Sequence, residues 1–114
     1  KGGRWNDQKY DKGLMKGGGN FEDWEVWKKF ARLYTDIFKK FMHSIYFGFK
    51  DQITRSALSV PSNISEGYES NKKIANFMYN SKGSAVELRT QIYIGIVIGY
   101  IEKQFRQTWI LEVT

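Results

Sequence analysis

The stretch "SVPSNISEGYES", Ser59 to Ser70, decides the fold. It lies inside an amphipathic pattern, yet Pro61 stands near the middle of that pattern. A proline there offers no N–H and crowds the carbonyl four residues back, at Ala57. Two readings compete. The chain could loop out and restart, with Asn63 and Glu66 as a capping box. Gly67 would then stop the restarted helix after about one turn, too short to hold by itself. Alternatively, one helix carries the proline. Ile53, Ala57, Val60 and Ile64, extended by Tyr68, keep a single helical phase through Pro61. A looped chain gives Val60 and Ile64 no reason to stay in register. The spacing therefore predicts a continuous, proline-bent helix that starts near Phe49 to Asp51. Ser56, Ala57, Ser59 and Ser62 are small enough for a neighbouring helix to approach, and serine hydroxyls can answer freed carbonyls. Gly67 is expected to end the helix.

The flanking segments also read as helices. From Phe21 to about Ile45, apolar residues recur at spacings of three and four: Trp27, Phe30, Ala31, Tyr34, Phe38, Phe41, Met42 and Ile45. Asn20 can cap this helix, and Glu22, Asp23 and Glu25 suit the positive end of its dipole. A break is expected at Gly48. A third helix, capped by Ser70 or Asn71, presents Ile74, Phe77, Met78, Ser81, Ala85, Leu88, Ile92 and Ile96 on one face and ends at Gly99. A fourth starts near Glu102, with Phe105, Trp109 and Val113 at spacing four. It reaches Thr114 after only about three turns, which suggests part of a longer helix. In "IYIGIVIGYI", Ile92 to Ile101, residues Tyr93, Ile94, Val97 and Ile98 point away from the Ile92–Ile96 stripe. A helix apolar on every side is buried on every side, which a small four-helix monomer cannot provide and a subunit interface can. A β-strand is the rival reading, because Ile, Val and Tyr favour strands. The phase continuing from Ile74 favours helix.

The totals suit one domain: 114 residues, 17% of them aromatic, with one proline and no cysteine. Disulfides and thiolate metal sites are excluded, and a cytoplasmic location is expected. The longest apolar stretch is about half of the roughly 20 residues a membrane span needs, so no membrane partner is expected. The net charge of +6 is unevenly placed. Residues 1–20 hold five basic and two acidic groups and six of the eleven glycines. This segment lacks hydrophobic periodicity and reads as a flexible N-terminal tail or a cloning remnant, with an arm that orders on a partner as the alternative. The bundle proper, 21–114, holds thirteen basic and ten acidic groups and is only mildly basic.

Two blocks carry a resemblance. One is P-S-N-I-x-E-G at Pro61, Ser62, Asn63, Ile64, Glu66 and Gly67; the other is G-S-x-x-E-L-x-T-Q at Gly83, Ser84, Glu87, Leu88, Thr90 and Gln91. With "FEDWEVWKK" (Phe21 to Lys29) and "IGY" (Ile98 to Tyr100), they resemble the four-helix-bundle family encoded in intervening sequences of bacterial 23S rRNA genes. The resemblance spans about Phe21 to Phe105. It implies an all-α, antiparallel up-down four-helix bundle with a bent second helix, assembled as a ring-like homopentamer. It also implies kinship with the accessory protein of diversity-generating retroelements, which works with a reverse transcriptase and nucleic acid. Members have been labelled ribosomal proteins, and the family brings no established catalytic residues. The apolar "IYIGIVIG" replaces a more charged third-helix end, and the fourth helix is shorter than the pattern.

Catalytic chemistry has few candidates. Nucleophilic catalysis needs a nucleophile, a base and an orienting group. The one histidine, His43, falls at the end of the first helix and reads as a surface or capping residue. Paired Glu-x-x-His motifs are missing, and Glu66 with Glu87 alone makes a poor metal site. "GGG" at Gly17 to Gly19 lacks the Walker lysine and threonine. No enzyme, metal or cofactor is expected. Asn63, Glu66, Ser84, Glu87 and Gln91 read as a structural polar network that fixes helix register, with a functional site at the turn as the alternative. The candidates for nucleic-acid binding are Lys28, Lys29, Arg32, Lys39, Lys40, Arg55, Lys72, Lys73, Lys82, Arg89 and Arg106. Singly, each suits a solvated surface. Copied around an oligomer, they sum to one positive field that RNA or DNA phosphates would feel. The other reading is a scaffold that docks proteins through its aromatic surface.

Overall fold

The structure, a computed structural model, describes residues 21–70, 74–110 and 113. The N-terminal segment 1–20, the cap at Asn71 and the pair Lys72–Lys73 lie outside the described residues. Three long helices dominate: α1 (Phe21–Phe41), α2 (Phe47–Glu69) and α3 (Ile74–Val97). A π-helical segment, Arg106–Ile110, follows. The tract from Ile92 is helical as far as Val97, so its phase outweighed its strand propensity.

Neighbouring helices run antiparallel. The start of α1 meets the end of α2, where Tyr68 Oη donates to Asp23 and Trp27 Nε1 donates to Ser65 Oγ at 2.7 Å. At the opposite end, the Phe41 and Phe49 rings lie 5.6 Å apart. The α2–α3 pair repeats the pattern, with Gly67 against Phe77 and Gly95 against Phe49.

α2 is continuous through Pro61, as its phase predicted. Ile53, Ala57, Val60, Ile64 and Pro61 itself are buried, and Tyr68 is half-buried. Serine chemistry surrounds the proline. Ser81 of α3 donates to the Val60 carbonyl at 3.0 Å, and Asn63 Nδ2 donates to the Ser59 carbonyl at 2.8 Å. These bonds tie the backbone beside the proline to α3 and to the next turn of α2.

Three sequence expectations need correction. First, the buried face of α1 is Trp24, Trp27, Phe30, Leu33, Ile37 and Phe41. Leu33 and Ile37 belong to it, whereas Phe38 and Met42 are exposed and Ile45 lies beyond the helix. The apolar band of α1 is wider than its seam, and Phe38 flanks the core beside Tyr34, ring centroids 5.9 Å apart. Second, Gly48 does not break the chain. It sits in the first turn of α2, and the break falls at Met42–Tyr46. Third, Gly67 does not end α2. It is buried two residues before the end, where an added Cβ would stand 3.1 Å from Phe77 Cβ. Its role is close approach, and Ser70 is the C-cap.

Gly99 does end α3. Its φ of +88° is the left-handed value that an L side chain resists. Tyr100 N–H donates to the Gly95 carbonyl at 2.8 Å and Gly99 N–H to the Ile96 carbonyl at 3.2 Å, the paired bonds of a Schellman motif. The chain then turns back, so Ile101 and Trp109 are buried and Phe105 and Val113 are half-buried against the core. The stripe at spacing four is the predicted one, but a π-helical turn carries its middle and also buries Ile110.

Candidate nucleic-acid interface

The core face of α1 fixes where its charges go. Lys28, Lys29, Arg32 and Lys39 fall on the opposite side of the 3.6-residue turn, spread over about 16 Å of helix. Glu25 and Asp36 share that side. Lys28, Lys29 and Arg32 line a shallow concavity of about 290 Å³ with Glu25 and Val26. Lys28 bridges Glu25 at 3.2 Å and lies 5.6 Å from the Trp24 ring centroid. Lys29 is 5.6 Å from the Phe30 ring centroid. Lys39, Arg55, Lys82, Arg89 and Arg106 are exposed.

Lys40 differs from the rest. Its Nζ meets Glu102 at 2.6 Å and sits over both Phe41 and Phe105, 5.7 and 5.3 Å from the centroids. That bond holds the Glu102 carboxyl below its ordinary value, with help from the backbone N–H of Glu102. Lys40 thus fastens the end of α1 to the segment after α3. The sequence marked Lys40 by charge as a nucleic-acid candidate, and its pairing with Glu102 left no local signal because the two stand sixty-two positions apart.

The predicted polar set comes together only in part. Asn63 Nδ2 donates to Ser59 Oγ at 3.0 Å, and Ser59 and Ser84 share a hydroxyl–hydroxyl bond of 2.8 Å. Asn63 and Ser84 are thereby linked through Ser59, a residue notable in the sequence only for its size. Glu66 and Glu87 stay apart. The helix register sets Gly67 beside Phe77, ten residues or about 15 Å along α3 from Glu87. Both glutamates are exposed. Gln91 is half-buried, with its Oε1 enclosed and no hydrogen-bond partner among the described residues. His43 is exposed in the linker after α1. Among the described residues, no cluster of His, Asp and Glu could hold a metal, and no helix is long and apolar enough to cross a membrane.

Two further surfaces have a definite shape. An open groove of about 400 Å³ between α1 and α2 is lined by Trp27, Tyr34, Leu58, Pro61, Ser65 and Glu66, among others. A larger one, about 1010 Å³, runs between the end of α3 and the π-helical segment, past Tyr93, Val97, Lys103 and Arg106. Beside it, Ile94 and Ile98 are half-exposed and Val97 is 83% exposed.

No curated protein and no solved structure matches the chain. One family model does, described as 23S rRNA-intervening sequence protein, and it runs over residues 22–114. That span takes in α1, α2, α3 and the closing π-helical segment, so the chain belongs to the 23S rRNA-intervening sequence protein family.

Proposed function

We propose that the chain is a non-enzymatic, self-assembling helical bundle of the cytoplasm that binds RNA or DNA through basic surfaces. The outward row Lys28, Lys29, Arg32 and Lys39 on α1 carries the reading, since it sets four cations, Lys39 exposed and the other three half-buried, against Glu25 and Asp36 on the side away from the core. One such row is a weak phosphate site. Binding sums over phosphates neutralised, so copies held together make it strong. The means of assembly are the exposed Ile94 and Ile98 on α3 and the open α1–α2 groove. A ridge on one side and a groove on the other suit head-to-tail association, which forms a ring where the rotation between copies closes and a filament where it does not. The family resemblance favours five copies, with α2 bent at Pro61 to shape the ring.

A protein scaffold is the second reading, favoured by the apolar lining of the α1–α2 groove. Charge reversal separates the two. Lys29→Glu with Lys39→Glu should weaken binding to a labelled rRNA fragment in fluorescence anisotropy. The salt slope should become shallower by about 0.9 for each phosphate that the variant no longer neutralises. Protein docking would survive the same change. Wild-type binding at low salt no tighter than that of a neutral control protein would defeat the nucleic-acid reading.

A further inference from the structure

We infer that one face of α3 is a stacking platform for single-stranded nucleic acid. This inference rests on the nucleic-acid reading and names its ligand class. Tyr79, Lys82, Val86, Arg89 and Tyr93 follow one another at steps of three and four, so they form a single row. All five are exposed, and Tyr79 is 79% exposed. The row alternates ring, cation, aliphatic, cation, ring. The sole acid of α3, Glu87, lies about 100° round the helix from Val86. Beyond Tyr93 the row runs into the large groove, where Lys103 and Arg106 add two cations. The Arg106 guanidinium stands 5.8 Å from the Tyr93 ring centroid, bracing that ring.

A buried face would not place tyrosines on either side of lysine and arginine, and a simple solvated face has no need of the rings. Exposed rings spaced among cations match a strand whose bases are free to stack while its phosphates are neutralised. A duplex keeps its base faces inside and cannot use the tyrosines. Tyr79 and Tyr93 are fourteen residues apart, about 21 Å along the helix. At roughly 3.4 Å per stacked nucleotide, that spans about six. The assembly ridge Ile94 and Ile98 lies about 100–140° round from Tyr93, so the platform assigns Tyr93 to nucleic acid instead of to the subunit interface that the sequence pattern suggested.

The test is anisotropy of the full chain with a labelled oligothymidylate of about 12 nucleotides, against a duplex of equal length. The single strand should bind more tightly. With four cations per protomer, its log K against log salt should fall with a slope of about −3. Tyr79→Ala and Tyr93→Ala should each weaken it at least about fivefold, while Tyr79→Phe and Tyr93→Phe keep the ring and the affinity. If the wild-type chain binds but prefers the duplex, or both alanine variants bind like wild type, the platform is wrong and the broader reading stands. If it binds neither probe, both fall together.

Discussion

Replacing Pro61 by alanine should make the protein more stable. An interior helical proline costs about 3 kcal/mol relative to alanine, through a missing N–H and a clash with the carbonyl behind it. Here α2 continues through Pro61, so the helix bears that cost, and Pro61→Ala restores a donor for the Ala57 carbonyl. The opposing effect is packing. Pro61 is buried, and the change removes about two methylene groups, worth roughly 0.8 kcal/mol each. The difference is about 1 kcal/mol in favour of the variant. Urea unfolding followed by far-ultraviolet circular dichroism measures it, at one fixed protein concentration because assembly contributes to apparent stability. The midpoint should rise by roughly half a molar to one molar. A variant destabilised by about 1 kcal/mol or more would refute the reasoning. It would mean that the ring fills its site better than a regular helix can.

Other perturbations test neighbouring parts of the structure. Gly99→Ala forces a Cβ into a φ of +88° and should cost about 1–2 kcal/mol in the same unfolding assay. Ser81→Ala removes the donor to the Val60 carbonyl and should cost about 1 kcal/mol, with no change in helix content by circular dichroism. The Glu102 carboxyl should titrate below 4.5 by NMR, and Lys40→Gln should return it towards that value. Because its folded value is depressed, the Lys40–Glu102 pair stabilises the fold above about pH 4.5, and that stabilisation fades as pH falls through the lowered value.

How much of this was legible in the sequence depended on the range of the signal. The α2 stripe, the continuity at Pro61 and the stop at Gly99 rest on local spacing and backbone preference, and they read directly. The α1 seam was misplaced because aromatic residues spread round the helix, and periodicity alone could not rank Phe38 below Ile37. Gly67 was misread because a glycine near a helix end can be a stop or a point of close approach. Only the position of Phe77 distinguishes them. The basic candidates were visible as residue types, but their roles were not. Lys40 became a tether because Glu102 folds back onto it, a pairing across sixty-two positions that no spacing rule reports. The α3 row showed the same gap. Lys82 and Arg89 were visible by charge and Tyr93 by its place in an apolar tract, while the row that the proposed platform needs, with Tyr79 and Tyr93 on either side of the cations, takes the helix to line up.

The most direct test of self-assembly is light scattering coupled to gel filtration of the full chain, alone and with Ile94→Asp and Ile98→Asp together. Both isoleucines are half-exposed in the single bundle, so the change should spare its core. The wild-type chain should elute as a particle several times 13.4 kDa, near fivefold if the ring is a pentamer, and the double variant as one copy. A wild-type particle of 13.4 kDa, or a double variant that assembles unchanged, would contradict the account.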